Sequence, residues 1–166
     1  LDMAGIDIGV LARKNIPTES FDERAFRIHE ALVASGSKGQ KTNAGFYEYD
    51  DKGKRTGLWT GLSKIWPTKE TQPEFEEIKN RLILSQVLEA IKALEEGVLE
   101  DIREGDVGAI LGWGFAPWSG GPFGWTDIKG LKNVVKICHE LSMKEGKRFL
   151  PPKLLTEMAN NNETFY

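Results

Sequence analysis

The sequence predicts an all-α fold, and three observations carry that prediction. In Pro73–Gly97, PEFEEIKNRLILSQVLEAIKALEEG, the residues Leu82, Ile83 and Leu84 are consecutive, so a helix points them about 100° apart. Val87, Leu88, Ala90, Ile91, Ala93 and Leu94 widen that apolar coat, and a helix so coated is sheathed by other helices. Leu131–Glu145 repeats Leu131, Val134, Val135, Cys138, Leu141 and Ser142 at helical spacing. Only around Gly45–Leu58 does the pattern change period. At about 1.5–3 kcal/mol per fully buried Leu, Ile or Val, the coat of the long helix outweighs the ion pairs at its ends, each about 0–1 kcal/mol. That helix is expected to be central, with Pro73 at its first position and Gly97 as a left-handed stop.

Composition bounds the function. The chain has 166 residues, a formal net charge of −3 and a pI near 5.5. No face gathers Lys and Arg without interspersed acids, which argues against a nucleic-acid partner. One cysteine, Cys138, excludes an internal disulfide and suits a reducing compartment. No apolar run approaches the roughly 18 residues of a membrane span, so no transmembrane segment is expected. The ending Thr164-Phe165-Tyr166 is not the peroxisomal Ser-Lys-Leu address, and a bacterial cytoplasm is the expected location.

Taken in order, Leu1–Ala12 is an Asp-containing turn running into an apolar-periodic segment. Ser20 and Glu23 have capping-box spacing and open a helix through Phe26, Ile28, Leu32 and Val33, ending near Gly36. Ser37–Asn43 reads as a polar connector. Phe46–Tyr49 and Lys54–Gly57 flank Asp51-Lys52-Gly53 as a small β-hairpin, which needs helices to pack on. Thr60–Gln72 reads as a linker pinned by Trp59 and Trp66. A short helix starts at Asp101 or Ile102. The following Gly112–Gly124, GWGFAPWSGGPFG, holds five glycines and two prolines. Within it Gly120-Gly121-Pro122 admits a phosphate-holding reading, but no Lys or Arg follows until Lys129, and it is expected as a structural loop packed under Trp118 and Trp125. A short turn over 123–128 precedes the 131–145 helix. Pro151 and Pro152 begin a last helix that Asn160-Asn161-Asn162 stops.

An internal repeat organises the chain. Asp2-Met3-Ala4-Gly5-Ile6 and Asp127-Ile128-Lys129-Gly130-Leu131 are both Asp-x-x-Gly-aliphatic, displaced by 125 residues. Each leads to helices and then to an aromatic pair, Phe46-Tyr47 or Phe165-Tyr166. By this pattern 73–166 is a whole unit, whereas the first lacks its own long helix and Gly-Pro loop. With Leu1 in place of an initiator Met, the expectation is a piece of a longer polypeptide.

Few residues offer chemistry by themselves. His29 sits on an amphipathic helix beside Arg27 and Glu30 and reads as solvated. Cys138 and His139 diverge on one helix, so they share no metal, and Cys138 reads as packing. Glu95-Glu96 and Asp50-Asp51 read as solvated or turn-capping carboxylates, and Asp2 and Asp127 as helix caps. Five tryptophans admit a sugar-stacking reading, but their company of glycine and proline favours core anchoring.

The ordered residues Asn80-Arg81, Glu89-Ala90, Glu95-Glu96-Gly97, Asp106, Gly112-x-Gly114-Phe115, Gly120-Gly121-Pro122-Phe123 and Asp127-x-x-Gly130 resemble the C-terminal domains of L-3-hydroxyacyl-CoA dehydrogenases. The resemblance is nearest to the duplicated C-terminal module of multifunctional fatty-acid β-oxidation enzymes, and Lys41-x-x-Ala44-Gly45-Phe46-Tyr47-x-Tyr49 looks like the end of its first copy. It implies a helical domain of the 6-phosphogluconate dehydrogenase C-terminal-like type, partly duplicated: 1–60 the tail of a first copy truncated at its N-terminal side, 61–72 a linker, 73–166 the second copy. It further implies an upstream NAD-binding domain carrying the catalytic serine, histidine and glutamate, an acyl-CoA substrate, and subunit contacts to a second copy or a thiolase partner. Asn80-Arg81 matches the motif of the family's catalytic asparagine, but in the second copy, where a capping or interhelical hydrogen bond competes with any catalytic role. No cofactor-binding residue is expected here, since Gly112-x-Gly114 follows a helix and lacks the strand-to-helix Gly-x-Gly-x-x-Gly context. The rival class is a stand-alone helical binding or oligomerisation module.

Overall fold

The computed structural model describes residues 1–13, 15–16 and 23–166. They form two compact units, Leu1–Thr71 and Gln72–Tyr166. Among the described residues are eight α-helices and one two-stranded sheet, so the all-α expectation with a small hairpin holds.

In the first unit, α1 (Ile6–Arg13) packs on α2 (Glu23–Ala34), burying Ile6, Phe26 and Leu32. Ser20 of the expected capping box lies outside the described residues. The connector after α2 is more ordered than its composition suggests, because Gln40–Thr42 makes a 3-10 turn. Strands β1 (Tyr47–Tyr49) and β2 (Arg55–Leu58) pair antiparallel, Tyr47 facing Leu58. The Asp50 carboxylate closes their turn by accepting from the Lys52 and Lys54 amides. Within the expected 61–72 linker, Leu62–Ile65 forms a single turn, α3. Trp59 lies over Gly61, where a Cβ would fall 2.2 Å from the indole, whereas Trp66 is 38% exposed.

The second unit is built on α4 (Phe75–Glu95), which packs against α6 (Pro122–Lys129), α7 (Leu131–Glu145) and α8 (Lys153–Asn161). Its start corrects the sequence reading. Glu74 is still extended (ψ 143°), so Pro73 stands outside the helix rather than at its first position. The coat is also narrower than a full circumference. Leu84, Val87, Leu88 and Ile91 are buried, Ile83 flanks them, and Leu82 is 63% exposed, because consecutive residues fan apart. Gly97 has the expected positive φ of 70°.

Helix α5 (Ile102–Trp113) is capped by the Asp101 carboxylate, which accepts from the Arg103 amide at 2.8 Å. The Arg103 guanidinium, then that amide, hold the Asp101 carboxyl down to about 2. After a 3-10 turn at Pro117–Ser119, the expected turn over 123–128 is instead a full helix, α6, with Pro122 pre-set in its first turn. Pro152 lies one residue before α8, and the left-handed Asn162 (φ 57°) ends it. Glu95, expected as solvated or capping, accepts the Leu154 amide at 2.7 Å and so caps α8 from α4. Fifteen buried hydrophobic residues fill the space between these helices, Trp125, Phe123 and Phe149 the largest.

Candidate functional site

Each unit contains a buried or half-buried carboxylate that ties an aromatic dipeptide to it. In the first unit Asp2, 8% exposed, accepts from the backbone amides of Phe46 (3.1 Å) and Tyr47 (3.0 Å) and from the Tyr49 hydroxyl (3.0 Å). Gly45 makes this possible, since a Cβ there would stand 2.6 Å from the Asp2 carboxylate. The Tyr49 hydroxyl is pushed up by burial first and then by its bond to Asp2. Beside this clasp the Lys41 ammonium ties down α1 through Asp7 (2.7 Å to Oδ2), and that hydrogen bond lowers the Asp7 carboxyl.

In the second unit Asp127 accepts from the amides of Phe165 (3.0 Å) and Tyr166 (2.9 Å). A second acid completes the arrangement. Asp106, 3% exposed inside α5, accepts from the amides of Phe123 (2.8 Å) and Gly124 (3.1 Å) at the start of α6, and from the Tyr166 hydroxyl (2.9 Å). Gly121 is required on two counts. Its φ is +106°, and a Cβ would press to 2.4 Å from the Asp106 carboxylate. Burial, then Asp106, push the Tyr166 hydroxyl up to about 12. The Phe123 and Phe165 rings meet edge to face at 5.0 Å.

Asp2 and Asp127 therefore do not cap helices by their side chains. Asp127 lies inside the last turn of α6, and both carboxylates are spent on amides 38 to 45 residues away. Asp106 stands in the sequence as a mid-helix acid with no assigned role. A signal was available: it occupies the same face as Ile102 and Ala109, and an acid on an apolar face needs several donors.

The other candidates separate. Among the described residues Asn80 makes no interhelical bond, and its Oδ1 is buried without a partner beside a cleft that includes Glu77, Ile137 and Lys144. Arg81 pairs instead with Glu145 on α7 at 3.1 Å. His29 is half-buried and sits edge-on to Phe26 at 6.3 Å. Cys138 is fully buried, and burial pushes its thiol up to about 12. No group of His, Cys, Asp or Glu among the described residues is arranged for a metal. The tryptophans correct the sequence reading. Trp125 is a core anchor, but Trp66, Trp113 and Trp118 are exposed, Trp118 by 74%. Trp113 satisfies its indole N–H at the surface on Gln86 (3.0 Å), and Phe115 and Phe123 anchor the glycine-rich loop in its place. Gly112-x-Gly114 is the end of α5, with Gly114 at φ 76° leading into buried Phe115.

No protein-family model matches the chain. The fatty acid oxidation complex subunit alpha of Shewanella amazonensis is 36% identical over 170 residues, that of Vibrio parahaemolyticus 34% over 168, and that of Vibrio campbellii 34% over 168. The chain is homologous to fatty acid oxidation complex alpha subunits. All of it is matched, and it spans 24% of the length of these curated relatives, in their C-terminal region. This alpha-subunit homology therefore takes in both units and both clasps. Among the described residues, no helix is long and apolar enough to cross a membrane.

Proposed function

We propose that the chain is the rear helical region of a multifunctional β-oxidation polypeptide whose dehydrogenase part oxidises L-3-hydroxyacyl-CoA to the 3-ketoacyl-CoA with NAD. The observation that supports this best is the repeated clasp. Asp2 with Phe46-Tyr47 and Asp127 with Phe165-Tyr166 are the same device at the ends of two stretches, within a chain homologous to alpha subunits. On this reading residues 1–60 are the tail of a first helical copy, 61–72 join the copies, and 73–166 are the second.

The reactive groups, a histidine base and the nicotinamide site, belong to the part of the polypeptide ahead of this region, and so does acyl-CoA binding. NAD supplies hydride acceptance there, and no residue described here takes part in that step. What this region contributes is rigidity: two clasps that fix the ends of the helical copies, and helix faces for contact with the rest of a cytoplasmic assembly, whether a second copy or a thiolase. Asn80, with its unpartnered carbonyl on α4, is on this reading a relic of the motif without a catalytic role.

The test is a paired assay. The whole native polypeptide is expected to form NADH from an L-3-hydroxyacyl-CoA, and the isolated 166-residue chain to form none. Turnover by the isolated chain, or a native polypeptide without a dinucleotide-binding domain, would favour the stand-alone helical module instead.

A further inference from the structure

The first unit has an open pocket of 480 Å³ beside its clasp, lined in part by Asp2, Met3, Phe46, Tyr47, Arg55 and Leu58. Leu1, Met3 and Leu58 at its rim are 70%, 85% and 66% exposed, an apolar edge that water does not favour. The second unit indicates what such a pocket takes. There the first aromatic of the clasped pair, Phe165, meets the Phe123 ring, and the second, Tyr166, donates its hydroxyl to Asp106. Phe123 lies four residues ahead of the clasp acid Asp127, and Asp106 twenty-one residues ahead. In the first unit Phe46 and Tyr47 hold the corresponding places on Asp2. The Tyr47 hydroxyl makes no hydrogen bond among the described residues, and the Arg55 guanidinium lies 4.0 Å from the Tyr47 ring centroid.

We propose that this pocket receives two side chains from the stretch of polypeptide ahead of Asp2: an aromatic ring against Phe46 and a carboxylate on the Tyr47 hydroxyl. The proposal rests on the reading of the chain as the rear region of a longer protein. Its chemistry is specific. An edge-to-face ring pair prefers centroids about 4.5–7 Å apart, as Phe123 and Phe165 have. A carboxylate entering beside Tyr47 meets a free phenol donor and the positive charge of Arg55, so its desolvation is offset by a charge-assisted hydrogen bond. The rim of Leu1, Met3 and Leu58 would close over the aromatic partner.

Two readouts test it. In the native polypeptide the residue four before Asp2 is expected to be aromatic, and an Asp or Glu is expected about 21 before it, as in the second unit. Other residue types at those offsets overturn the proposal, whether or not any variant folds. The second readout compares the 166-residue chain with one extended by its native preceding stretch, as long as Gln72–Thr126. Amide exchange at Phe46 and Tyr47 is expected to slow about tenfold on extension, and Tyr47→Phe to give back part of that gain in the extended chain only. A folded extended chain with unchanged exchange overturns docking. Absence of NADH formation by the whole polypeptide would instead strike the dehydrogenase reading and leave this one standing.

Discussion

The two units use one polar device on very different apolar support. The second sets its clasp against fifteen buried hydrophobic residues gathered on α4, whereas the first, among the described residues, buries only Ile6, Phe26 and Leu32. The carboxylate geometry is nonetheless matched to within 0.1 Å at the first amide (3.1 and 3.0 Å) and at the second (3.0 and 2.9 Å). The difference teaches that the clasp is a local device that does not depend on a large core. Where the core is small, as in the first unit, the clasp and the Lys41–Asp7 tie carry a larger share of the order.

The largest effect that would sharpen this contrast belongs to the core. Leu88→Ala should destabilise the second unit by about 2–5 kcal/mol, seen as a lower urea midpoint of the buried Trp125 fluorescence. An unchanged midpoint would mean that α4 does not organise that unit. Next come the acids. Asp106→Ala leaves three donors without their acceptor and is expected to cost about 3 kcal/mol. Asp2→Asn should cost about 1–3 kcal/mol. With so little apolar support beneath it, that loss should broaden the amide resonances of the whole hairpin, whereas Asp127→Asn should disturb only residues 163–166. Equal spread of the two effects would break the comparison.

The positions of both clasps were legible in the sequence, since Asp-x-x-Gly and the aromatic pairs repeat. Their role was not. An acid just ahead of a helix is locally indistinguishable from a cap, and the amides that claim Asp2 and Asp127 lie tens of residues away. The same limit hid Asp106, whose partners come from other elements. Local rules served well where the decision was local. Leu131–Glu145 is a helix with the expected bounds, Gly97 turns left-handed, and Asp50 closes the hairpin. They failed for 122–129, where glycine and proline suggested a loop although Pro122 starts a helix well. They failed again for Trp113 and Trp118, whose company of glycine and proline suggested core anchoring while Phe115 and Phe123 took the interior.

A smaller effect follows pH. The Tyr166 hydroxyl is pushed from about 10 up to about 12 by burial and by Asp106. A value raised on folding gives stability that is whole below the unfolded value and lost as pH rises through the folded one. The second unit should therefore lose stability between about pH 10 and 12, where the buried Cys138 thiol adds a loss of the same sign, and Tyr166→Phe should reduce that slope without abolishing it when urea midpoints are followed across the range. The smallest effect is at the surface. Lys144→Ala removes an exposed pair with Glu77 (2.8 Å) and should leave the midpoint within error, as exposed pairs do.

Amide hydrogen exchange at Phe46, Tyr47, Phe165 and Tyr166 tests the matched clasps most directly. Asp2→Asn should speed exchange at Phe46 and Tyr47 and leave Phe165 and Tyr166 alone, and Asp127→Asn should do the reverse. Unchanged protection at the amides facing the replaced acid would contradict the account.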